Sequence, residues 1–177
     1  LDSLRLVISA GAGISVESIR ELRRKLNTAF VNAFGMNEFG MGSWCQLDDD
    51  PEDADGTIGR FIPGVETRIV DAEGRALPPG ETGEMVLKSA GMCAGYHGNP
   101  EANTASWDAE GWFRSGDLMT VDDKGYVRIV GRSKDLIIRG GANVSPREVE
   151  DVLMGEPRIR EVSVIGLPDE YYGEVVC

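Results

Sequence analysis

The sequence predicts a mixed α/β (α+β) chain in three parts. These are a partial parallel βαβ layer, a small antiparallel β-barrel-like unit, and the start of a small α+β unit. Three observations carry this. A short β-branched run, a glycine loop, an amphipathic run and a second apolar run follow one another up to Ala33, the order of a strand–helix–strand crossover. After residue 55 the apolar runs are short and separated by Asp/Gly and Pro/Gly turns, as in antiparallel hairpins. Beyond residue 132 come a short apolar run, a double glycine and a capped helix start. The three parts are therefore expected at 1–55, 56–132 and 133–177.

Taken in order, Arg5–Ser9 reads as a buried strand ended by Ala10-Gly11-Ala12-Gly13. Ser15 is expected to cap a helix with Glu17 in its first turn. Ile19, Leu22 and Leu26 recur at helical spacing, and Arg23, Arg24 and Lys25 suit the negative end of the dipole. Ala29–Ala33 is the second strand. Asp48–Asp55 reads as a solvated acidic loop. A calcium loop fails there, because counting back from Gly56 puts Pro51 first and Ile62 where the bidentate Glu belongs. Strands are expected over Glu66–Val70, Glu84–Lys88, Leu118–Val121 and Tyr126–Val130, with turns at Asp71–Gly74, Pro78–Gly80 and Asp122–Gly125. Leu136–Arg139 is a further strand. Ser145-Pro146-Arg147-Glu148 is a capping box whose helix should bury Val149, Val152 and Leu153 and end near Gly155-Glu156-Pro157. Val162–Ile165 is the last expected strand.

Composition narrows the function. With 41% hydrophobic residues among 177 and no long apolar run, the chain can bury a core and has no membrane span. Eighteen Lys and Arg against thirty Asp and Glu give a net charge of −12, which argues against a nucleic-acid footprint but leaves small anions possible. Cys45, Cys93 and Cys177 are scattered, so no disulfide framework is expected and a reducing, cytoplasmic setting is. His97 is the single histidine, which disfavours a His-based triad or metal centre. Leu1-Asp2-Ser3-Leu4-Arg5 is neither a signal nor a transit sequence and lacks an initiator Met, so the chain is expected to begin inside a longer protein.

Four segments carry chemistry. Gly11-Ala12-Gly13 between strand and helix is either a dinucleotide loop or a plain turn. Val16 stands where a third glycine belongs, and no acidic residue lies about twenty positions on. Asn32-Ala33-Phe34-Gly35-Met36-Asn37-Glu38 begins where a parallel strand ends, the usual place for ligands in α/β sheets. There an aromatic can stack on a base, an amide can read its edge and a carboxylate can hold Mg2+. The alternative is a strand exit with a packed Phe. Trp112-Phe113-Arg114-Ser115-Gly116-Asp117-Leu118 and the stretch Gly131–Glu150 complete the set.

In order and spacing these segments resemble the adenylate-forming (AMP-binding) enzymes, most closely the acyl-CoA synthetases. The Gly59–Glu66 and Gly95–Glu101 segments resemble connecting segments of the same family. The resemblance implies a carboxylic acid activated by ATP as an acyl-adenylate, then transferred to the thiol of coenzyme A. It implies that Phe34 stacks on adenine, that Asn32 contacts its amino group, and that Gly11, Ala12, Gly13, Ala33 and Gly35 border it. Glu38 would be catalytic through Mg2+, and Asn37 stands where the family carries a phosphate-binding Thr. Asp117 would accept from both ribose hydroxyls, with Ile129 and Arg132 at the same nucleotide. Lys134 would sit at the hinge, and Gly140 and Gly141 would line the coenzyme A path.

The Ser/Thr/Gly-rich phosphate loop and the extreme C-terminal lysine of that family are not in these residues. The chain is therefore expected to be a central-to-C-terminal fragment that does not complete adenylation alone. Acid-dependent ATP–pyrophosphate exchange by the 177 residues would contradict this. Partners are then ATP, coenzyme A and a small acid, which Ala12, Met36 and Met41 suggest is apolar or ring-bearing, as in fatty-acid metabolism. Two other readings stand beside it: an adenylating enzyme with a carrier-protein or other non-CoA acceptor, and a non-catalytic nucleotide-binding module. Oligomeric state is left open.

Overall fold

The computed structural model describes residues 3–156 and 158–177. Strand β1 (Leu6–Ser9) runs parallel to β2 (Ala29–Met36), with Val7 opposite Phe30 and Ser9 opposite Asn32. Helix α1 (Val16–Leu26) makes the crossover. The Ser15 hydroxyl accepts from the Ser18 amide at its start, and Asn27 ends it in the left-handed conformation. Strands β3 (Gly40–Trp44) and β4 (Arg60–Phe61) extend this sheet antiparallel, giving the order β1-β2-β3-β4. The arrangement is the mixed α/β fold expected.

Two expectations in this part change. β1 is not buried: Leu6 and Ile8 are exposed, because β1 is the edge of the sheet and no described element covers that face. β2 runs on through Phe34 to Met36, since β3 pairs alongside it, with a bulge between Phe34 and Gly35. A Cβ on Gly35 would lie 2.3 Å from the Gly40 carbonyl oxygen, so this close strand approach needs glycine.

The acidic run is a solvated loop only in part: Asp48, Asp50 and Glu52 are exposed, but the other acids are drawn inward. Asp50 caps a short helix α2 (Pro51–Ala54). The Asp49 and Asp55 side chains are only 4% and 5% exposed. Arg60 meets Asp49 at 2.7 Å, Arg20 and Arg23 converge on Asp55, and Lys124 meets Asp53 at 2.6 Å. Carboxylates that close to burial persist only with such partners. The arginines come from α1 and β4, which sequence proximity does not reveal.

The middle of the chain forms an antiparallel meander of β5 (Val65–Val70), β6 (Gly83–Ser89), β7 (Phe113–Val121) and β8 (Val127–Arg132). It is an open four-stranded sheet with β5 and β8 as its edges, and the described residues form no closed barrel. Gly74, Gly80 and Gly125 take positive φ in the three expected turns. Ile69, Met85, Leu87, Phe113, Met119 and Val127 pack with Phe39 and Ile58 into the main core. Helix α3 (Pro100–Ser106), capped by Asn99, lies between β6 and β7 and was not anticipated.

After a 3-10 turn at Ser133–Asp135 come β9 (Ile137–Arg139), β10 (Ala142–Val144), α4 (Pro146–Met154), β11 (Gly166–Asp169) and β12 (Gly173–Val176). They make a third sheet in the order β10-β9-β12-β11. The strand expected at Val162–Ile165 lies instead at Gly166–Asp169. The Asp169 carboxylate accepts the Tyr171 and Tyr172 amides and fixes the β11–β12 turn there. Ser145 caps α4 by accepting from the Glu148 amide, and donates to the Val130 carbonyl at 2.7 Å. The cap thus ties α4 to β8. On α4, Val149 is half-buried, but Val152 and Leu153 are exposed, because no described element packs on their face. Pro157, expected at its end, lies outside the described residues.

Candidate nucleotide site

The alternation of β2 points Asn32, Phe34 and Met36 to one side, while Val31 and Ala33 are buried. That side opens on a cleft of about 1020 Å³. Gly11, Ala12 and Gly13 close one wall beside it, and Ala33 and Gly35 contribute to the lining. Asp117 and Ile129, from β7 and β8, and Arg132 at the end of β8 form the floor. Ten of the residues expected at the nucleotide therefore meet at one place. The opposite wall comes from α4, through Arg147, Glu150, Asp151 and Met154, with Val164 and Gly166 beyond it.

Individual side chains are held in defined states. The Asn32 side-chain nitrogen donates to the Thr57 carbonyl at 2.8 Å, which leaves the side-chain oxygen Oδ1 as a free acceptor toward the cleft. Phe34 sits 6.0 Å from the Phe39 ring, at its core side. Asp117 and Arg132 stand directly opposite one another on β7 and β8, with Nε and the carboxylate 2.9 Å apart. The Asp117 side chain is 11% exposed. Burial pushes its carboxyl above the ordinary aspartate value, and the Arg132 guanidinium pulls it back part of the way. Gly116 before it takes φ 72°, a local irregularity within β7, on which Phe113–Leu118 lie.

The remaining expected residues lie outside the cleft lining. Asn37 and Glu38 occupy the tight β2–β3 turn just beyond Met36. Asn37 is exposed, and Glu38 is half-buried with Oε1 accepting from the Tyr96 hydroxyl at 2.8 Å. Burial first, and the hydrogen bond to Glu38 second, push the Tyr96 phenol above its usual value. Lys134 is exposed in the 3-10 turn and makes no ion pair among the described residues. Gly140 and Gly141 form the β9–β10 turn at φ 58° and 87°. A Cβ on Gly141 would meet nothing within 4 Å, so in this arrangement the backbone angle, not crowding, calls for glycine there.

Sequence reasoning missed several supports of the site. Glu84 pairs with Arg114 and accepts the Gly116 amide at 3.1 Å, bracing the backbone that presents Asp117. Arg147 lies flat against Gly13, where a Cβ would come within 2.6 Å of the guanidinium. Thr57 fixes Asn32. Each partner is distant in sequence, and no local pattern marks it.

As to metal, no group of three or more His, Cys, Asp or Glu side chains gathers among the described residues. Glu38 offers a single carboxylate, with Oε2 taking no hydrogen bond from any described residue. One carboxylate fits Mg2+ carried on a nucleotide's phosphates, which supply most of its ligands together with water.

Known proteins match this arrangement. A family model described as AMP-binding enzyme matches residues 1–97. The 3-[(3aS,4S,7aS)-7a-methyl-1,5-dioxo-octahydro-1H-inden-4-yl]propanoyl:CoA ligase of Rhodococcus jostii is 39% identical over 176 residues, covering 99% of this chain and 32% of its own length. The salicyl-AMP ligase / salicyl-S-ArCP synthetase of Mycobacterium tuberculosis is 36% identical, covering 99% of this chain and 31% of its own. The chain thus spans about a third of the length of the curated relatives it matches. The crystal structure of ATP-bound MatB from Rhodopseudomonas palustris superposes with a TM-score of 0.90 at 37% identity, covering 97% of this chain and 34% of that one. The apo form of the same protein gives 0.77. With a family match over more than half its residues and the fold of solved adenylate-forming enzymes, the chain belongs to the AMP-binding, adenylate-forming enzyme family.

Proposed function

We propose that these residues are the nucleotide-holding and hinge portion of an ATP-dependent carboxylic acid–CoA ligase. The observation that carries this is the convergence of Asn32, Phe34, Asp117 and Arg132 on one cleft. Stacking, an amide acceptor and a paired carboxylate are what adenine, its amino group and a ribose diol require. The Phe34 ring takes the adenine face, and the free Asn32 Oδ1 accepts from its amino group. Asp117 accepts from the ribose hydroxyls while Arg132 holds the carboxylate in place and adds donors. The three parts of the chain are residues 1–55, 56–132 and 133–177.

In the first half-reaction a substrate carboxylate oxygen attacks the α-phosphorus, the P–O bond to pyrophosphate breaks, and an acyl-adenylate forms. In the second, the thiol sulfur of coenzyme A attacks the acyl carbon, its proton passes to solvent, and AMP leaves with the electrons of the broken C–O bond. Such steps need no protein nucleophile. They depend on holding the reactants in line and on compensating charge. Mg2+, when bound, supplies that charge at the phosphates; Glu38 is the residue of this chain that would hold it, with Asn37 donating to a phosphate oxygen. Lys134 lies at the hinge and Gly140-Gly141 on the thiol's approach. A carrier-protein thiol is the second reading of the acceptor, favoured by the relative named as a salicyl-S-ArCP synthetase.

The test is a product assay of the full-length enzyme against aliphatic and aromatic acids, with and without coenzyme A. Acyl-CoA formed from a preferred acid supports the ligase reading. Acyl-adenylate that accumulates and passes only to a carrier protein supports the second. Absence of acid-dependent pyrophosphate release with every acid overturns both.

A further inference from the structure

Glu38 is gripped twice by one distant segment. Its carbonyl accepts from the Cys93 amide at 2.7 Å, and its carboxylate accepts from the Tyr96 hydroxyl at 2.8 Å. That segment is itself rigid. The Asn103 side chain of α3 accepts the Tyr96 amide at 2.6 Å and donates to the Tyr96 carbonyl at 3.1 Å. The Tyr96 ring stands edge-on to Trp107 at 5.4 Å, and Trp107 packs on Phe113 of the main core at 4.8 Å. The phenol is thus fixed at its backbone and its ring before it reaches the carboxylate.

Two backbone bonds already hold the β2–β3 turn, from the Phe39 amide to the Met36 carbonyl at 3.3 Å and from Cys93 to Glu38, so the side-chain bond invites a reason of its own. A lysine or arginine in the place of Tyr96 would orient the carboxylate but cancel its charge and compete with a cation. A phenol donates one neutral hydrogen bond to Oε1, keeps the negative charge and leaves Oε2 free. We propose that Tyr96 is the positioning residue that aims the Glu38 carboxylate at the Mg2+ carried by the nucleotide's phosphates. This rests on the reading of Glu38 given above.

Calorimetric titration of the full-length enzyme with ATP, in Mg2+ and in chelator, and with AMP tests this with binding rather than turnover. Tyr96→Phe keeps the ring on Trp107 and removes only the donor. It should leave AMP affinity and Mg2+-free ATP affinity unchanged and reduce the Mg2+-dependent gain in ATP affinity by about tenfold or more, the worth of one hydrogen bond to a charged group. Glu38→Gln should abolish that gain. If Glu38→Gln leaves the gain intact, the metal reading of Glu38 fails and Tyr96 falls with it. If Glu38→Gln abolishes the gain and Tyr96→Phe does not touch it, the positioning role alone is wrong. Parallel loss of AMP and MgATP affinity in Tyr96→Phe would assign the bond to folding and overturn the proposal.

Discussion

Asp117 and Arg132, fifteen positions apart in the chain, are direct cross-strand neighbours whose ion pair lies in the floor of the cleft. Within this pair the aspartate is nearly buried and the arginine much more open. Arg132 therefore has donors to spare for a ligand, while Asp117 is held for one geometry.

Removing that carboxylate should act on the nucleotide in both half-reactions. Asp117→Ala is expected to weaken AMP binding by roughly ten- to a hundredfold, the worth of hydrogen bonds to an ionised group. The loss should appear equally in ATP–pyrophosphate exchange and in thioester formation from preformed acyl-adenylate. A loss confined to one half-reaction would refute the shared ribose role.

The raised carboxyl of Asp117 gives a pH signature. Protonation removes the ribose acceptor, so AMP affinity should fall on acidification at a higher pH than an ordinary aspartate, near about 4, would produce. Arg132→Met should move the fall to still higher pH, and Asp117→Asn should flatten it. The stability effect runs the opposite way. The native carboxyl takes its proton more readily than the unfolded one, so its contribution is full at acid pH and lost as pH rises through the native value. As pH rises above the unfolded aspartate value of about 4, urea unfolding of Asp117→Asn should therefore show a smaller loss of stability than that of the natural protein.

Two glycines near the cleft should resist even alanine. Gly35→Ala would drive a Cβ to 2.3 Å from the Gly40 carbonyl oxygen, and Gly59→Ala, at φ 75°, to 1.8 Å from that of Trp44. Both contacts are with backbone. Gly35→Ala is expected to cost about 1–3 kcal/mol as overpacking, and Gly59→Ala more, since left-handed strain of roughly 1–3 kcal/mol adds to it. Gly64→Ala, also left-handed at φ 89° but in open space, is the control and should lose only the strain when all three are compared by thermal unfolding.

Gly141→Leu should separate the two half-reactions. Its site is open in this arrangement, so adenylation should persist apart from a strain of about 1 kcal/mol in the turn. Thioester formation should fall at least tenfold if the turn lines the thiol's approach. Single-turnover measurement of each step decides it, and equal losses would refute that assignment.

Much of this was legible in the chain because it is local. The Ser15 and Ser145 caps, the Gly74, Gly80 and Gly125 turns and the β1–α1–β2 crossover depend on residues within a few positions of one another. The aromatic, amide and carboxylate motifs were readable for the same reason: their residue types and spacing state what they can bind. Exposure and partnership were not readable. Asp49 and Asp55 look like a solvated run until Arg60 and Arg23 fold onto them, and Val152 looks like a core residue until its face finds no described neighbour. The grip of Tyr96 on Glu38 joins residues fifty-eight apart. The sequence by itself determined the family and the chemical groups that line the cleft. Only tertiary structure decided which of those groups meet, and how buried each is, because desolvation and ion pairing depend on what packs against a side chain rather than on what precedes it.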